Sequence, residues 1–155
     1  MRMIKGGLIG ALSFLLLSGV SQAVEFNPPS LVATEGEVRQ FFAHYIERYT
    51  QRDLVGFLSL FSSKAILNQE DGLERIRKTY GGFFDQSKEL RYRMQDMKME
   101  IYQNAVEVDA RYVLSQIVER DGKEKTFKGR IRWTLVREGG VLKILSLDNQ
   151  PEKSP

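Results

Sequence analysis

The residues of this chain best suited to chemistry lie in one short stretch, AHYIERYTQRD, at positions 43–53. It holds the only histidine of the sequence, His44, together with the phenols of Tyr45 and Tyr49 and the carboxylate of Asp53. An imidazole and a carboxylate are common partners in proton transfer, and a phenol can donate a hydrogen bond to a developing negative charge. Their positions along the chain indicate whether these groups can act together.

A helix is predicted to carry most of this stretch. Thr34 and Glu37 have the spacing of a capping box, and apolar residues then recur at helical intervals. They are Val38, Phe41, Phe42, Tyr45, Ile46 and Tyr49. At 100° per residue His44 falls nearly opposite this stripe, and Asp53 directly precedes a second apolar run, where an N-cap belongs. We therefore predict that the tyrosines point into the core, whereas His44 faces water or a subunit neighbour and Asp53 begins a helix.

The first 23 residues have the three parts of a secretory signal peptide. Arg2 and Lys5 are positive, an apolar run without charge occupies positions 7–20, and Ser21 and Ala23 suit a cleavage site. We predict cleavage after Ala23, so that no stable membrane anchor is left. The chain has no cysteine, hence no disulfide. A domain exported without disulfides is typical of a periplasmic or secreted bacterial protein.

Charge and composition argue against several classes of function. Without Arg2 and Lys5 the chain has 21 basic against 20 acidic residues, and the two signs alternate along it, which does not favour nucleic acid as a partner. One histidine and no cysteine give no pattern for a metal site or a thiol nucleophile. Gly81-Gly82 and Gly139-Gly140 are predicted to lie at a helix end and a hairpin turn, not in a phosphate loop. We expect neither a cofactor nor a metal.

The hydrophobic pattern predicts an α+β domain at residues 34–149, between an extended tether at 24–33 and a polar tail at 150–155. Three helical patterns and one short strand precede four long strands that alternate between apolar and polar residues. The alternation slips by one residue at Gln95-Asp96, which is typical of a β-bulge that bends the sheet. A curved antiparallel sheet around three N-terminal helices leaves a cone-shaped hollow, where a ligand is expected.

Two segments carry a resemblance to known proteins: YIERYTQRDLVGFLSLFSSKAIL on the helical side and FKGRIRWTLVREGGVLKILSLD on the sheet side. They resemble the nuclear-transport-factor-2-like superfamily, and within it the SnoaL-like and ketosteroid-isomerase-like branch, and the resemblance covers residues 36–148. It implies a cystatin-like architecture, which agrees with the cone-shaped hollow predicted from the pattern. It says little about function, because this superfamily contains isomerases, dehydratases, cyclases and domains without chemistry.

The resemblance also implies where catalytic groups belong. It places Tyr45 where a ketosteroid isomerase has a phenol that donates to the oxyanion, and Gln69 where that family has its general base. An amide cannot accept a proton at neutral pH, so Glu70 or Asp71 would have to replace it through a shift in register. Asp96, at the predicted bulge, is the candidate for a second carboxylic acid. An isomerase or dehydratase that uses Tyr45 with Asp96 or Glu70 is therefore the alternative function.

We expect instead a periplasmic, non-catalytic binding or interaction domain with a mainly apolar, tyrosine-lined cone. The side chains predicted to line it combine aromatic rings with polar ends, which suits an apolar ligand held by a few hydrogen bonds. They are Tyr45, Tyr49, Tyr92, Met94, Tyr112, Gln116 and Trp133. The same side chains would also serve simply to fill the core.

A third hypothesis concerns the opposite face of the sheet. The superfamily commonly forms dimers through this face, and here it is predicted to carry charges of both signs. They are Glu107, Asp109, Arg111, Lys128, Arg130 and Arg132. Such a face would form a homodimer, dock a cell-envelope partner, or remain solvated.

Overall fold

The computed structural model describes residues 29–153. The helices are α1 (Glu35–Thr50), α2 (Leu54–Leu58) and α3 (Leu73–Asp85), and the strands are β1 (Phe61–Leu67), β2 (Glu70–Asp71), β3 (Ser87–Ile101), β4 (Val106–Val118), β5 (Glu124–Glu138) and β6 (Val141–Pro151). Helices and long strands follow the predicted order, and the two-residue β2 is an addition that the pattern did not indicate. The predicted signal peptide, most of the tether and the end of the tail lie outside the described residues.

Side chains fix the first two helices where the sequence predicted. The Thr34 hydroxyl accepts from the Glu37 amide at 3.2 Å, and the Glu37 carboxylate accepts from the Thr34 amide at 2.8 Å, which completes the capping box. Asp53 is the N-cap of α2 and accepts from the Gly56 amide at 2.9 Å. His44 is exposed, 3.1 Å from the Gln40 amide nitrogen. The predicted orientation of α1 is confirmed.

The strands form one curved six-stranded sheet in the order β2-β1-β6-β5-β4-β3. The four long strands are antiparallel, and β1 adds a parallel pairing with β6. Between β3 and β4 the register moves from Gln95 opposite Arg111 to Lys98 opposite Asp109, so one strand holds an extra residue. Asp96 has a φ of 53° at this point. The β-bulge predicted at Gln95-Asp96 is confirmed.

The helices cover one face of the sheet, and the hydrophobic core lies between the two layers. Trp133 of β5 is fully buried near its centre, where its ring lies 4.7 Å from Phe42 and 5.7 Å from Tyr45, between ring centroids. Such a buried aromatic cluster contributes strongly to stability, since each ring removes a large apolar area from water. This core holds α1 in a fixed position above the sheet.

The segment before α1 is attached to the far end of the sheet. The Val32 amide donates to the Tyr102 carbonyl at 2.8 Å, and Arg137 Nε donates to the Val32 carbonyl at 2.8 Å. The same guanidinium also donates to Glu37 of α1 at 2.7 Å. Arg137 thus ties the chain entry, α1 and β5 together. In the described part of the chain, no helix has both the length and the apolar character needed to cross a bilayer.

Candidate ligand-binding cavity

A cavity of about 560 Å³ opens between α1, α3 and the inner face of the sheet. This volume is in the usual range for small-molecule sites. Five of the six tyrosines of the chain line it: Tyr45, Tyr49, Tyr80, Tyr92 and Tyr112. The sixth, Tyr102, lies in the connection between β3 and β4 and is 43% exposed.

Each tyrosine reaches the cavity because of its position on its element. Tyr45 and Tyr49 are one turn apart on α1 and therefore share its buried face. Tyr92 and Tyr112 project from the inner faces of β3 and β4, with rings 6.1 Å apart and nearly parallel. The ring of Tyr92 lies 5.9 Å from that of Tyr45 and 4.9 Å from that of Tyr49. Tyr80 of α3 lies 6.0 Å from Tyr49. The five rings form one connected aromatic wall.

The mouth of the cavity is lined by both apolar and amide side chains. Phe83 of α3 and Phe127 of β5 face one another at 6.1 Å, and Phe127 is 38% exposed. Gln86 and Asn149 add amide groups near the same opening. A partly exposed aromatic pair beside polar groups is a suitable entrance for an apolar molecule that leaves water.

The side chains that line the cavity are uncharged, and burial keeps its tyrosines protonated. Within residues 29–153, the lining side chains include no carboxylate, histidine, lysine or arginine. Burial is the main cause that raises the pKa of Tyr45, Tyr49, Tyr80 and Tyr92 far above the usual value, and it also raises the pKa of Tyr112. The phenols therefore stay protonated at any physiological pH, so they can donate hydrogen bonds but cannot act as bases.

Two donors at the inner end of the cavity are closed off from solvent and form no hydrogen bond of normal geometry. The Tyr92 hydroxyl and the Trp133 indole nitrogen have no hydrogen-bond partner among the described residues. Both rings lie against the ring of Tyr45, at 5.9 and 5.7 Å between centroids, and hydrogen bonding with Tyr45 partly offsets the effect of burial on the pKa of Tyr92. The two donors therefore belong to a closed cluster around Tyr45 and are not on the open surface of the cavity.

The structure brings four of the seven predicted lining residues to the cavity, namely Tyr45, Tyr49, Tyr92 and Tyr112. The other three have structural positions instead. Trp133 is fully buried behind Tyr45, Met94 packs against the core, and Gln116 donates to the Ser87 hydroxyl at 2.8 Å. Gln116 lies close to the last turn of α3, because Ser87 in turn donates to the Phe83 carbonyl at 2.6 Å.

The structure does not bring the two candidate carboxylates to Tyr45. The side chain of Asp96 is 69% exposed and lies 3.9 Å from Arg111, because the bulge turns it toward water. The side chain of Glu70 is 54% exposed and forms an ion pair with Arg75, since β2 is a short strand at the edge of the sheet. Gln69 borders a polar groove on the other side of the sheet and does not line the cavity.

Sequence reasoning missed several lining residues. Tyr80 was detectable, since it falls on the apolar stripe of α3 and is a polar-tipped ring like the others. Phe83, Gln86 and Asn149 had no such signal, because their place at the mouth depends on how the last turn of α3 meets β5 and β6.

No family model matches the sequence, and no curated protein matches it either. Solved structures do match. A candidate dehydratase of the NTF2-like family from Streptomyces avermitilis is 10% identical, with a TM-score of 0.69 over 77% of this chain and 96% of that chain. A cystatin-like-fold protein of unknown function from Nostoc punctiforme is 12% identical, with a TM-score of 0.61 over 76% and 90% of the two chains.

An enzyme also has this architecture. A type 2 hexachlorocyclohexane dehydrochlorinase, LinA, is 11% identical, with a TM-score of 0.65 over 76% of this chain and 84% of that chain. At this level of identity the likeness concerns the backbone arrangement and not the site. The cone-shaped α+β architecture, the bulged sheet and these matches agree with the resemblance seen in the sequence. The protein has the nuclear-transport-factor-2-like, or cystatin-like, fold.

Proposed function

We propose that this protein binds a small, mainly apolar molecule in the tyrosine-lined cavity without transforming it chemically. The observation that carries the proposal is the convergence of five neutral phenols around about 560 Å³, with no ionisable group of ordinary pKa among the described lining residues. The fold itself is compatible with ligand binding or with catalysis, since a dehydrochlorinase shares it.

The composition of the wall supports an apolar ligand. Leu67, Leu114 and Ile131 lie among the phenols, and the tyrosine rings present apolar faces with a hydroxyl at one end. Removing apolar surface of a ligand from water contributes roughly 25 cal/mol per Å². The few polar groups would then fix its orientation. The tight packing of Trp133 and Gln116 behind this wall supports a preformed site, because the core already fills the rest of the layer.

Catalysis of the isomerase or dehydratase type is the second candidate. Tyr45 supplies a phenol that can donate to an oxyanion, but proton abstraction needs a base within hydrogen-bond reach of the substrate. Asp96 and Glu70 are the carboxylates available for that role, and both lie in solvent. We therefore favour ligand binding over catalysis as the function of this cavity. An assay for proton exchange in a bound ligand, compared between the wild type and Tyr45→Phe, separates the two.

We also propose that the protein acts in the periplasm after removal of residues 1–23, and the intact mass of the exported protein tests this. Its outer sheet face is a candidate surface for a homodimer or an envelope partner, because charges of both signs alternate there. Asp109 and Arg132 already pair across strands at 3.0 Å. Light scattering on the exported protein gives its oligomeric state, and a monomer at all concentrations would contradict a homodimer.

Ligand binding is tested by native mass spectrometry of the purified protein, for molecules that remain bound, and by a thermal-shift screen of neutral aromatic compounds and lipids. Gly82→Phe provides a blocked variant, since Gly82 lines the cavity and a Cβ added there has no atom within 4 Å, which leaves room for a larger side chain at the mouth. Tyr102→Phe is the control, because it removes the one phenol outside the cavity. We expect shifts in the wild type and the control but not in Gly82→Phe. No shift across the library would contradict the proposal.

A further inference from the structure

We propose that the polar groove on the outer side of the sheet is a second binding site, and that it takes a small zwitterion such as a free amino acid. The carboxylate of the ligand would lie at Arg130 and its ammonium group at Asp148. The groove has a volume of about 500 Å³ and lies beside β6, beyond the point where β1 ends. This inference goes beyond the function proposed for the tyrosine-lined cavity and does not depend on it.

The lining of the groove is almost entirely polar. Among the described residues it consists of two arginines, two aspartates, four amide side chains and Ile131. The tyrosine-lined cavity on the other side of the sheet has no charged side chain in its described lining. The two spaces therefore suit ligands of different chemistry.

The register of the sheet places the charges of the groove on one face. Arg132 of β5 lies opposite Asp109 of β4 and Asp148 of β6. Arg130 lies two residues away on the same strand, so it points to the same face. Asp148 is therefore a diagonal neighbour of Arg130 across the β5–β6 pair, within the reach of a small ligand that contacts both.

Pairing inside the groove leaves one charge of each sign without a partner. Arg132 Nε donates to the Asp109 carboxylate at 3.0 Å. The pKa of Arg132 is raised mainly by this hydrogen bond and by the charge of Asp109, and to a smaller extent by Asp148. Arg132 is thus committed to Asp109. Within residues 29–153, neither Arg130 nor Asp148 forms an ion pair or a side-chain hydrogen bond.

The surroundings of Arg130 favour a carboxylate there. Arg130 lies directly opposite Arg111 on β4, and like charges in that position are unfavourable. Arg111 has Asp96 and Glu152 nearby, at 3.9 and 3.8 Å, whereas Arg130 has no such neighbour. A guanidinium binds a carboxylate through two parallel hydrogen bonds. A ligand carboxylate at this position would supply the missing counter-charge.

The charge balance of the groove favours a zwitterion over a simple anion or cation. Its two arginines and two aspartates cancel, so a ligand with a net charge gains no long-range attraction. A ligand that carries both charges can satisfy Arg130 and Asp148 together. Both contacts would be charge-assisted hydrogen bonds, which are stronger than those between neutral groups.

The amides give the groove a fixed rim. Asn68 and Gln69 form the turn between β1 and β2, with φ values of 49° and 64°. The Asn68 side-chain oxygen accepts from the Asn149 amide at 2.7 Å, which holds this turn against β6. The side chains of Gln69 and Gln150 then offer both donors and acceptors to the polar remainder of a ligand.

Three probes that differ in one charge each test this inference. L-asparagine carries both charges, N-acetyl-L-asparagine lacks the ammonium group, and L-asparaginamide lacks the carboxylate. Their dissociation constants are measured by NMR titration of the purified, ¹⁵N-labelled protein, which also detects millimolar binding. We expect L-asparagine to bind at least about tenfold more tightly than either analogue, since each analogue loses one charge-assisted hydrogen bond.

Arg130→Gln and Asp148→Asn form the matched pair of variants. Arg130→Gln should bind L-asparagine and L-asparaginamide equally, and Asp148→Asn should bind L-asparagine and N-acetyl-L-asparagine equally. Arg120→Gln is the control, because Arg120 is an exposed arginine in the β4–β5 turn, outside the groove. It should keep the preferences of the wild type. All three variants should have the thermal midpoint of the wild type.

The cavity-blocking variant Gly82→Phe separates this site from the proposed one. It should bind L-asparagine as the wild type does, and a loss of binding there would place the ligand in the cavity and overturn the inference. No binding of L-asparagine at millimolar concentration, equal binding of the three probes, or unchanged preferences in Arg130→Gln and Asp148→Asn would each overturn it too. None of these results bears on the binding of neutral aromatic compounds by the cavity.

Discussion

Replacing Gly129 by alanine tests the packing that shapes the sheet side of the cavity. Gly129 lies in β5, opposite Tyr112 on β4 and Pro151 on β6. A Cβ added there would lie 2.5 Å from the Gln150 carbonyl oxygen, 2.8 Å from the Tyr112 hydroxyl oxygen and 2.9 Å from the Pro151 Cα. All three distances are shorter than a carbon can tolerate, and two of the three atoms belong to the backbone. The strand and the Tyr112 ring would both have to move.

The expected cost can be estimated from this geometry. Forcing an extra methyl group into a packed site usually costs about 1–3 kcal/mol. Alanine also restricts the unfolded chain more than glycine does, which gives back about 0.4–1 kcal/mol. We expect a net loss of about 1–2 kcal/mol in the free energy of unfolding, or a fall of about 4–8 °C in thermal midpoint for a domain of this size. Displacement of Tyr112 should also weaken binding of a neutral ligand.

Urea unfolding of the two proteins measures the loss, with an unchanged m-value as evidence that only stability changed. Gly82→Ala is the control. It replaces a glycine inside α3 where an added Cβ meets nothing within 4 Å, so it should stabilise by about 0.5–1 kcal/mol through helix propensity. If Gly129→Ala were as stable as the wild type, or changed stability in the same direction as Gly82→Ala, the close approach of β5, β6 and Tyr112 described above would be incorrect.

Three further results are expected. Asp53→Ala should lower the free energy of unfolding by about 1–2 kcal/mol, as measured by urea unfolding. Asp53→Asn should lower it by less, because the asparagine oxygen can still accept from the Gly56 amide. Equal losses in the two variants would contradict the role of Asp53 as the N-cap of α2. Tyr92→Phe should leave the free energy of unfolding of the ligand-free protein unchanged or raise it by up to about 1 kcal/mol, since it removes a buried hydroxyl that forms no hydrogen bond of normal geometry, and a fall of more than about 1 kcal/mol would contradict this description. Because burial raises the pKa of the cavity tyrosines, the unfolded chain loses these protons first, so their contribution to stability should be constant below about pH 10 and fall above it. In Tyr102→Phe, which keeps only the cavity tyrosines, phenolate absorbance that rises before the protein unfolds would show that water reaches the rings.

Local signals in the sequence were sufficient to predict the helices and the bend of the sheet. Thr34 and Asp53 are caps whose partners lie three residues away, and the slip at Asp96 appears as a break in a two-residue alternation. Each of these features depends on neighbours in the chain, so composition and spacing reveal it. The same applies to the inward orientation of Tyr45.

Features that depend on distant parts of the chain were not predicted. The pairing of β1 with β6 joins residues at least 80 positions apart, as in the match of Leu67 with Leu147, and no local pattern indicates it. Whether Trp133 lines a cavity or fills the core depends on where the two layers separate, which is decided by the packing of α3 against the sheet. Alternation places Trp133 on the inner face but does not give its depth.

The orientation of the two candidate catalytic carboxylates, Asp96 and Glu70, was also not predictable from the sequence. The resemblance suggested Asp96 and Glu70 as partners of Tyr45, but both side chains extend from edge strands into solvent. A bulge can turn a side chain inward or outward, and the backbone conformation that decides between them is not visible in the sequence. The cavity, and not the aligned positions, therefore supports the proposed function.

The most direct test of the account is the fluorescence of Trp133 while neutral aromatic compounds from the thermal-shift screen are added to the wild type and to Gly82→Phe. Trp133 is the only tryptophan of the chain, and its ring lies 5.7 Å from that of Tyr45 at the inner end of the cavity. A saturable change in the wild type that is lost in Gly82→Phe is the predicted result. No saturable change in the wild type, or the same change in both proteins, would contradict the claim that this cavity is a binding site for an uncharged molecule.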